Sequence, residues 1–169
     1  MDRATHLDGD VHLFSTMAVR SALDAYAGMA DATRRIAQVA LDASNRSEGR
    51  ELRSWLLANI GFLEVSLGNH RAALTALQPV IDGLFSDPDY SEIIVASCVS
   101  DAVEAMIYTN RIDDAERLTE LVERNAIRLD RAWMLASAAR CRGMLLAALG
   151  DLGRRPVHRG TKISIIIRR

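Results

Sequence analysis

The chain has 169 residues, 49% of them hydrophobic and 5% aromatic, with 21 basic against 22 acidic side chains. A net charge of −1 and a pI near 6.4 give no electrostatic case for binding nucleic acid or an anionic membrane. Ala and Leu carry the apolar content instead of aromatics, which suits close helix–helix contact and argues against an all-β fold.

Residues 1–12 contain Asp2, Asp8, Gly9 and Asp10 and read as a flexible polar lead-in. His6 and His12 flank these acids, but their spacing does not put both rings on one helical face, so no metal site is expected. From about Leu13 to Ala27, Phe14, Met17, Ala18, Leu23 and Tyr26 form an apolar stripe at helical spacing, and Gly28 ends it. A second helix is predicted over Ala30–Ala43, with Ile36, Ala37, Val39, Ala40 and Leu41 inward and Asp31, Arg34, Arg35 and Asp42 outward. Residues 44–49 are a polar loop separating hairpins.

The central hairpin is predicted over about 50–67 and 70–84, with Pro79 expected to kink its second helix. Phe85–Asp89 is the next turn, with Ser86 or Asp87 as a cap and Pro88 at a first helical position. A third pair is predicted over about 88–109 and 112–126. Its core comes from Ile93, Ile94, Val95, Val99, Val103, Met106 and Ile107 on one helix and from Ala115, Leu118, Leu121 and Val122 on the other. The last helix runs from near Asp130 through Trp133, Leu135, Ala139, Met144, Leu145, Leu146 and Leu149.

These units repeat. Gly28, Gly68, Asn110 and Gly150 recur at spacings of 40, 42 and 40 residues, and Gly and Asn are the residues that best tolerate the left-handed backbone of a helix C-cap. Gly61 and Gly143 each precede their turn glycine by seven residues, Leu67 and Leu149 each by one. Ala73 and Ala115 follow their turns by five, where a small side chain lets the second helix approach the first. A single hairpin cannot bury its own apolar stripe, so stacked neighbours are the physical reason for repetition. The expected fold is therefore all-α: an α-solenoid of about three and a half helical hairpins over residues 13–152.

Beyond residue 152 the pattern fails. Gly153, Pro156 and Gly160 forbid a regular helix, and Ile163–Ile167 is β-branched, unlike anything upstream. Residues 153–169 read as a disordered or out-of-frame tail on a truncated repeat. The face of the last helix is then uncapped, and a homodimer through that face is expected.

The central unit resembles the tetratricopeptide repeat, with Leu57, Ile60, Gly61, Glu64, Ala73, Leu77 and Val80 at its signature positions. Glu64 and Leu77 replace aromatics, the closing proline is absent, and a period of about 40 replaces 34. The longer form is similar to the superhelical region of large LuxR-type, ATP-dependent transcriptional regulators. The phrases that carry this likeness are Leu63–Asn69, Asp113–Leu118 and Ala138–Asp151. Such regulators have a nucleotide-hydrolysing module before the repeats and a DNA-binding helix-turn-helix after them. This chain has neither a Gly-x4-Gly-Lys-Ser/Thr loop nor a basic recognition helix, so neither activity carries over and direct nucleic-acid binding is not expected.

The resemblance implies that the first helix of each pair lines a concave groove. That geometry places Trp55, Asn59, Phe62 and Ser66 on the groove from one unit. Ser97, Asp101, Glu104 and Tyr108 come from the next, and Ser137, Arg140 and Met144 from the last. A mixed aromatic, acidic and basic groove suits a protein segment or small-molecule ligand. The same residues also read as a solvated helix face with an acid–arginine pair of little consequence.

No catalytic set is apparent. Asp113–Asp114 and Asp87/Asp89 sit at helix starts, where acids face the helix dipole favourably, and no cofactor is implied. Cys98 and Cys141 read as buried free thiols. With no signal peptide and no apolar run of about 20 residues, the chain reads as soluble and cytoplasmic. Two functions compete: a non-enzymatic interaction or sensor scaffold, and a truncated regulator remnant without independent activity.

Overall fold

The computed structural model describes residues 3–44, 50–87 and 98–150. Among these the protein is all-α, with seven helices and no strand. They are α1 (Arg3–Tyr26), α2 (Ala30–Ser44), α3 (Arg50–Ser66), α4 (His70–Ser86), α5 (Val99–Tyr108), α6 (Ile112–Leu129) and α7 (Ala132–Ala148). The tail at 153–169, most of the loop, at 45–49, the end of the turn at 88–89 and the first part of the third predicted pair, through Ile93, Ile94 and Val95 to residue 97, lie outside the described residues.

The predicted boundaries of α2, α3 and α4 hold to within two residues. The amino-terminal end differs: residues 3–12, expected to be a loose lead-in, are the first turns of α1. This stretch has no proline and a single glycine, Gly9, so nothing in it stops a helix growing back from Leu13. Pro79 is accommodated inside α4, whose helix runs on to Ser86.

All four repeat positions adopt the left-handed backbone, with φ of +71° at Gly28, +75° at Gly68, +60° at Asn110 and +71° at Gly150. The first three close the same hydrogen-bonded cap. The turn amide donates back three residues, from Gly28 to Ala25, Gly68 to Val65 and Asn110 to Ile107. The following amide donates back five, from Met29 to Asp24, Asn69 to Glu64 and Arg111 to Met106, at 2.8 Å in each case. This is the Schellman arrangement, which satisfies the last carbonyls of a helix. Each of these turns joins two helices that lie against one another: α1 on α2, α3 on α4, and α5 on α6. Asp130 makes a further left-handed turn at φ +48° and joins α6 to α7, which also pack together.

Small residues set the closeness of each pair. Ala73 and Ala115, the fifth residues after their turns, are fully buried, and Thr33 takes the same place in the first unit. Gly61 faces Leu77 so closely that a Cβ added to it would lie 2.5 Å from the Leu77 Cγ. The first helices also pack in sequence, α1 on α3, α3 on α5 and α5 on α7. One continuous apolar core runs through the described helices, from Ala18 to Leu145.

Three expected core residues are exposed instead: Leu23 at 62%, Tyr26 at 76% and Val39 at 59%. In α1 the buried stripe is Ala18, Ser21, Asp24 and Ala25. In α7 the fully buried face is Met134, Ala138, Cys141 and Leu145, while Leu135, Met144 and Leu146 lie only half in and Ala139 is exposed.

Two ion pairs tie helices across the core. Glu64 on α3 is buried, yet its Oε1 accepts from Arg34 Nε on α2 at 2.7 Å and its Oε2 from Asn69 Nδ2 at 2.9 Å. The hydrogen bond from Arg34 holds the Glu64 carboxyl below its ordinary range, with Asn69 adding to the effect and burial opposing it. The residue where the repeat pattern has an aromatic is thus a buried acid that joins neighbouring hairpins. On α7, Arg142 grips Glu123 of α6 through two contacts, Nε to Oε1 at 2.9 Å and Nη2 to Oε2 at 2.6 Å.

Candidate functional site

α1, α3 and α5 leave a partly open cavity of about 160 Å³ between them. α1 contributes Ala22, Ala25 and Tyr26; α3 contributes Trp55, Ala58, Asn59 and Phe62; Cys98 and Asp101 come from the start of α5. The spacing of Trp55, Ala58, Asn59 and Phe62 is one helical face. The alanines remove side-chain bulk at the floor, and the three aromatics fill the walls.

The rings of Tyr26 and Phe62 meet with centroids 4.5 Å apart and planes tilted by 41°, a geometry favoured by the ring quadrupoles. Tyr26 is exposed because it forms this outer wall rather than part of the core. Asn59 is fixed in place: its Nδ2 donates to the Ala18 carbonyl of α1 at 3.0 Å, spanning the first two units.

Among the described residues Asp101 is the one charged side chain lining the cavity, and none of them gives it a hydrogen bond or ion pair. Burial pushes its carboxyl up to about 6, Glu104 on the same helix pushes in the same direction, and Arg140 on α7 opposes them. Arg140 Nη2 stands 4.0 Å from Glu104 Oε2, with the arginine side chain largely exposed. Such a pair contributes little to stability. Its importance here is the field it sets around Asp101.

Of the sequence-predicted groove residues, Trp55, Asn59, Phe62 and Asp101 therefore line one cavity. Glu104 and Arg140 form a pair beside it. Tyr108 is elsewhere: it stacks on His70 with centroids 4.2 Å apart and an interplanar angle of 6°, over a wider and more open depression at the start of α4. Met144 is half-buried against the core and lines no part of the cavity. Ser66 is exposed and Ser137 half-buried, neither of them lining the cavity, and Ser97 lies outside the described residues.

Tyr26, Ala22, Ala25, Ala58 and Cys98 were not anticipated as lining residues. The repeat register contained the signal for two of them. Shifting Trp55, Asn59, Phe62 and Ser66 back by the first spacing of 40 residues gives Ser15, Val19, Ala22 and Tyr26. Ala22 and Tyr26 line the cavity.

Cys98 and Cys141 are both buried thiols outside any disulfide. Burial pushes the thiol of each up to about 12, so neither is a nucleophile at neutral pH. Among the described residues no three His, Cys, Asp or Glu side chains converge as a metal-binding group, and no helix is long and apolar enough to cross a membrane.

Fold and site together define an all-α protein of successive helical hairpins with an aromatic, carboxylate-bearing cavity among its odd-numbered helices. No protein-family model matches the chain. Comparison with the curated proteins returns no match, and comparison with the solved structures returns none.

Proposed function

We propose that this chain is a cytoplasmic, non-enzymatic interaction or sensor module, built as a tetratricopeptide-like α-solenoid and resembling the repeat segment of LuxR-type transcriptional regulators. Its groove, formed by the first helix of each hairpin, holds a small ligand or a segment of a partner protein. One observation carries the reading: Trp55, Asn59, Phe62 and Asp101, chosen by groove geometry, line a single cavity. The recurrence of left-handed turns at Gly28, Gly68, Asn110 and Gly150 supports the solenoid.

The test is a thermal melt of the full chain against a panel of metabolite and peptide fractions, run beside a Phe62→Leu variant. A ligand at about 100 times its Kd stabilises by about 2.7 kcal/mol, which for a chain of this size is a rise of about 5–11 °C. The expected result is such a rise in the parent, reduced in the variant. A rise of equal size in both places the ligand outside the cavity and refutes the groove reading.

Self-association through the outer face of α7 belongs to the same proposal. Ala136, Ala139, Gly143, Ala147 and Leu149 are exposed along that helix or at its end. Sedimentation showing a dimer that an Ala139→Glu substitution dissociates supports this contact, and a monomer across the concentration range refutes it.

A further inference from the structure

We infer that the cavity among α1, α3 and α5 recognises an organic ammonium group, with Tyr26, Trp55 and Phe62 presenting aromatic surface and Asp101 supplying the counter-charge. The inference rests on the reading of the cavity as the ligand site and names the chemistry of what enters it.

The lining decides the sign of the ligand. Among the described residues, three aromatic side chains and one carboxylate line the cavity, and no lysine, arginine or histidine does. Aromatic faces attract cations through their quadrupole, most strongly when the cation is out of water. An anion meets Asp101 with nothing to offset it.

The size decides its extent. Drug-sized ligands occupy pockets of roughly 300–1,000 Å³, whereas this one is about 160 Å³. It suits a headgroup of a few heavy atoms.

The carboxylate itself points the same way. Asp101 has no hydrogen bond from a described residue, and Arg140, the described cation that acts on it, stands 4.0 Å from Glu104. The charged groups acting on it are Arg140 on α7 and Glu104 on its own helix; Asp101 in turn acts on the thiols of Cys98 and of Cys141 on α7, and Tyr26 of α1 lines the same cavity. Burial holds the empty-site carboxyl up to about 6. An ammonium ion beside it favours the ionised form, so binding weakens as pH falls through that value and releases protons near it.

The test is calorimetric titration of the full chain with three probes of similar shape: tetramethylammonium, neutral tert-butanol and anionic pivalate. Nα-acetyl-lysine methylamide distinguishes a protein lysine from a free amine as the source. The expected result is saturable binding of tetramethylammonium or the lysine derivative at pH 7.5, with neither of the other two bound. That affinity falls by at least about tenfold in Asp101→Asn and by roughly fivefold in Phe62→Leu. The melting temperature of the unliganded Asp101→Asn variant shows that it is folded. Binding of tert-butanol or pivalate that Phe62→Leu weakens overturns the ammonium inference while the cavity remains a ligand site. Ammonium binding unchanged in Asp101→Asn, or no saturable ammonium binding at all, also overturns it.

Discussion

Gly61 and Gly143 occupy the same place in the repeat, seven residues before a turn glycine, yet replacing each by alanine is expected to act in opposite directions. In an exposed helix interior the change from Gly to Ala gains about 1 kcal/mol of helix propensity. Gly143 on α7 has nothing within 4 Å of where its Cβ would lie, so Gly143→Ala realises the whole gain. At Gly61 the added carbon would lie 2.5 Å from the Leu77 Cγ and Cδ2 and 2.7 Å from Cδ1. Leu77 is fully buried and its branch point is in the way, so it cannot swing clear without moving α4. Overpacking of this kind costs about 1–3 kcal/mol, leaving Gly61→Ala between neutral and about 2 kcal/mol less stable after the helix gain of about 1. The gap between the two variants is the contact itself, about 1–3 kcal/mol, or about 2–12 °C in midpoint at this chain length. Urea and thermal unfolding followed by circular dichroism measure it. Adding Leu77→Ala to Gly61→Ala relieves the clash, so the double variant is less damaged than the sum of the singles. A Gly61→Ala midpoint equal to or above that of Gly143→Ala refutes the account of close α3–α4 contact.

Three further outcomes are expected. Glu64→Gln removes the acceptor charge from Arg34 and destabilises the chain at pH 7 by about 1–2 kcal/mol. Because the folded Glu64 carboxyl lies below its unfolded value, its contribution is present above about pH 4.3 and lost as pH falls through the folded value, so parent and variant converge in acid. Asp101 acts with the opposite sign. Its carboxyl is raised to about 6, so ionisation disfavours the fold, and Asp101→Asn raises the melting midpoint at pH 7 but not at pH 4; a midpoint lowered at pH 7 contradicts this. A double-mutant cycle on Arg142 and Glu123 returns a coupling of about 1–2 kcal/mol. The same cycle on the exposed Arg124–Glu120 pair, 4.0 Å apart, returns no more than about 0.5 kcal/mol.

Much of the fold was legible because backbone geometry leaves a mark on residue choice. Gly28, Gly68, Asn110 and Gly150 stand where the chain takes a positive φ, a conformation other residues avoid. Gly61, Ala73 and Ala115 stand where helices must approach, as their burial and the Leu77 contact show. The lead-in was misread because a polar amino-terminal stretch carries no stop signal distinguishing loop from the end of a long helix. Val39 and Leu23 were assigned inward by hydrophobicity alone, although single apolar side chains on a surface are ordinary.

The site was legible in part. Trp55, Asn59, Phe62 and Asp101 follow from one helical face repeated between units. Tyr26 was hidden because a tyrosine at helical spacing reads first as core. Tyr108 lies at the far end of α5 from Asp101 and stacks on His70, a contact that the repeat register does not encode. The bond from Arg34 to Glu64 joins positions 30 residues apart, a separation that periodicity does not encode.

The central claim is that ligands enter between the first helices rather than on the second-helix layer. Amide chemical-shift mapping of the full chain with a stabilising ligand tests it most directly. The account predicts that shifts centre on Ala22–Tyr26, Trp55–Phe62 and Cys98–Asp101. Shifts centred on α2, α4 and α6 that leave these three segments unmoved contradict it.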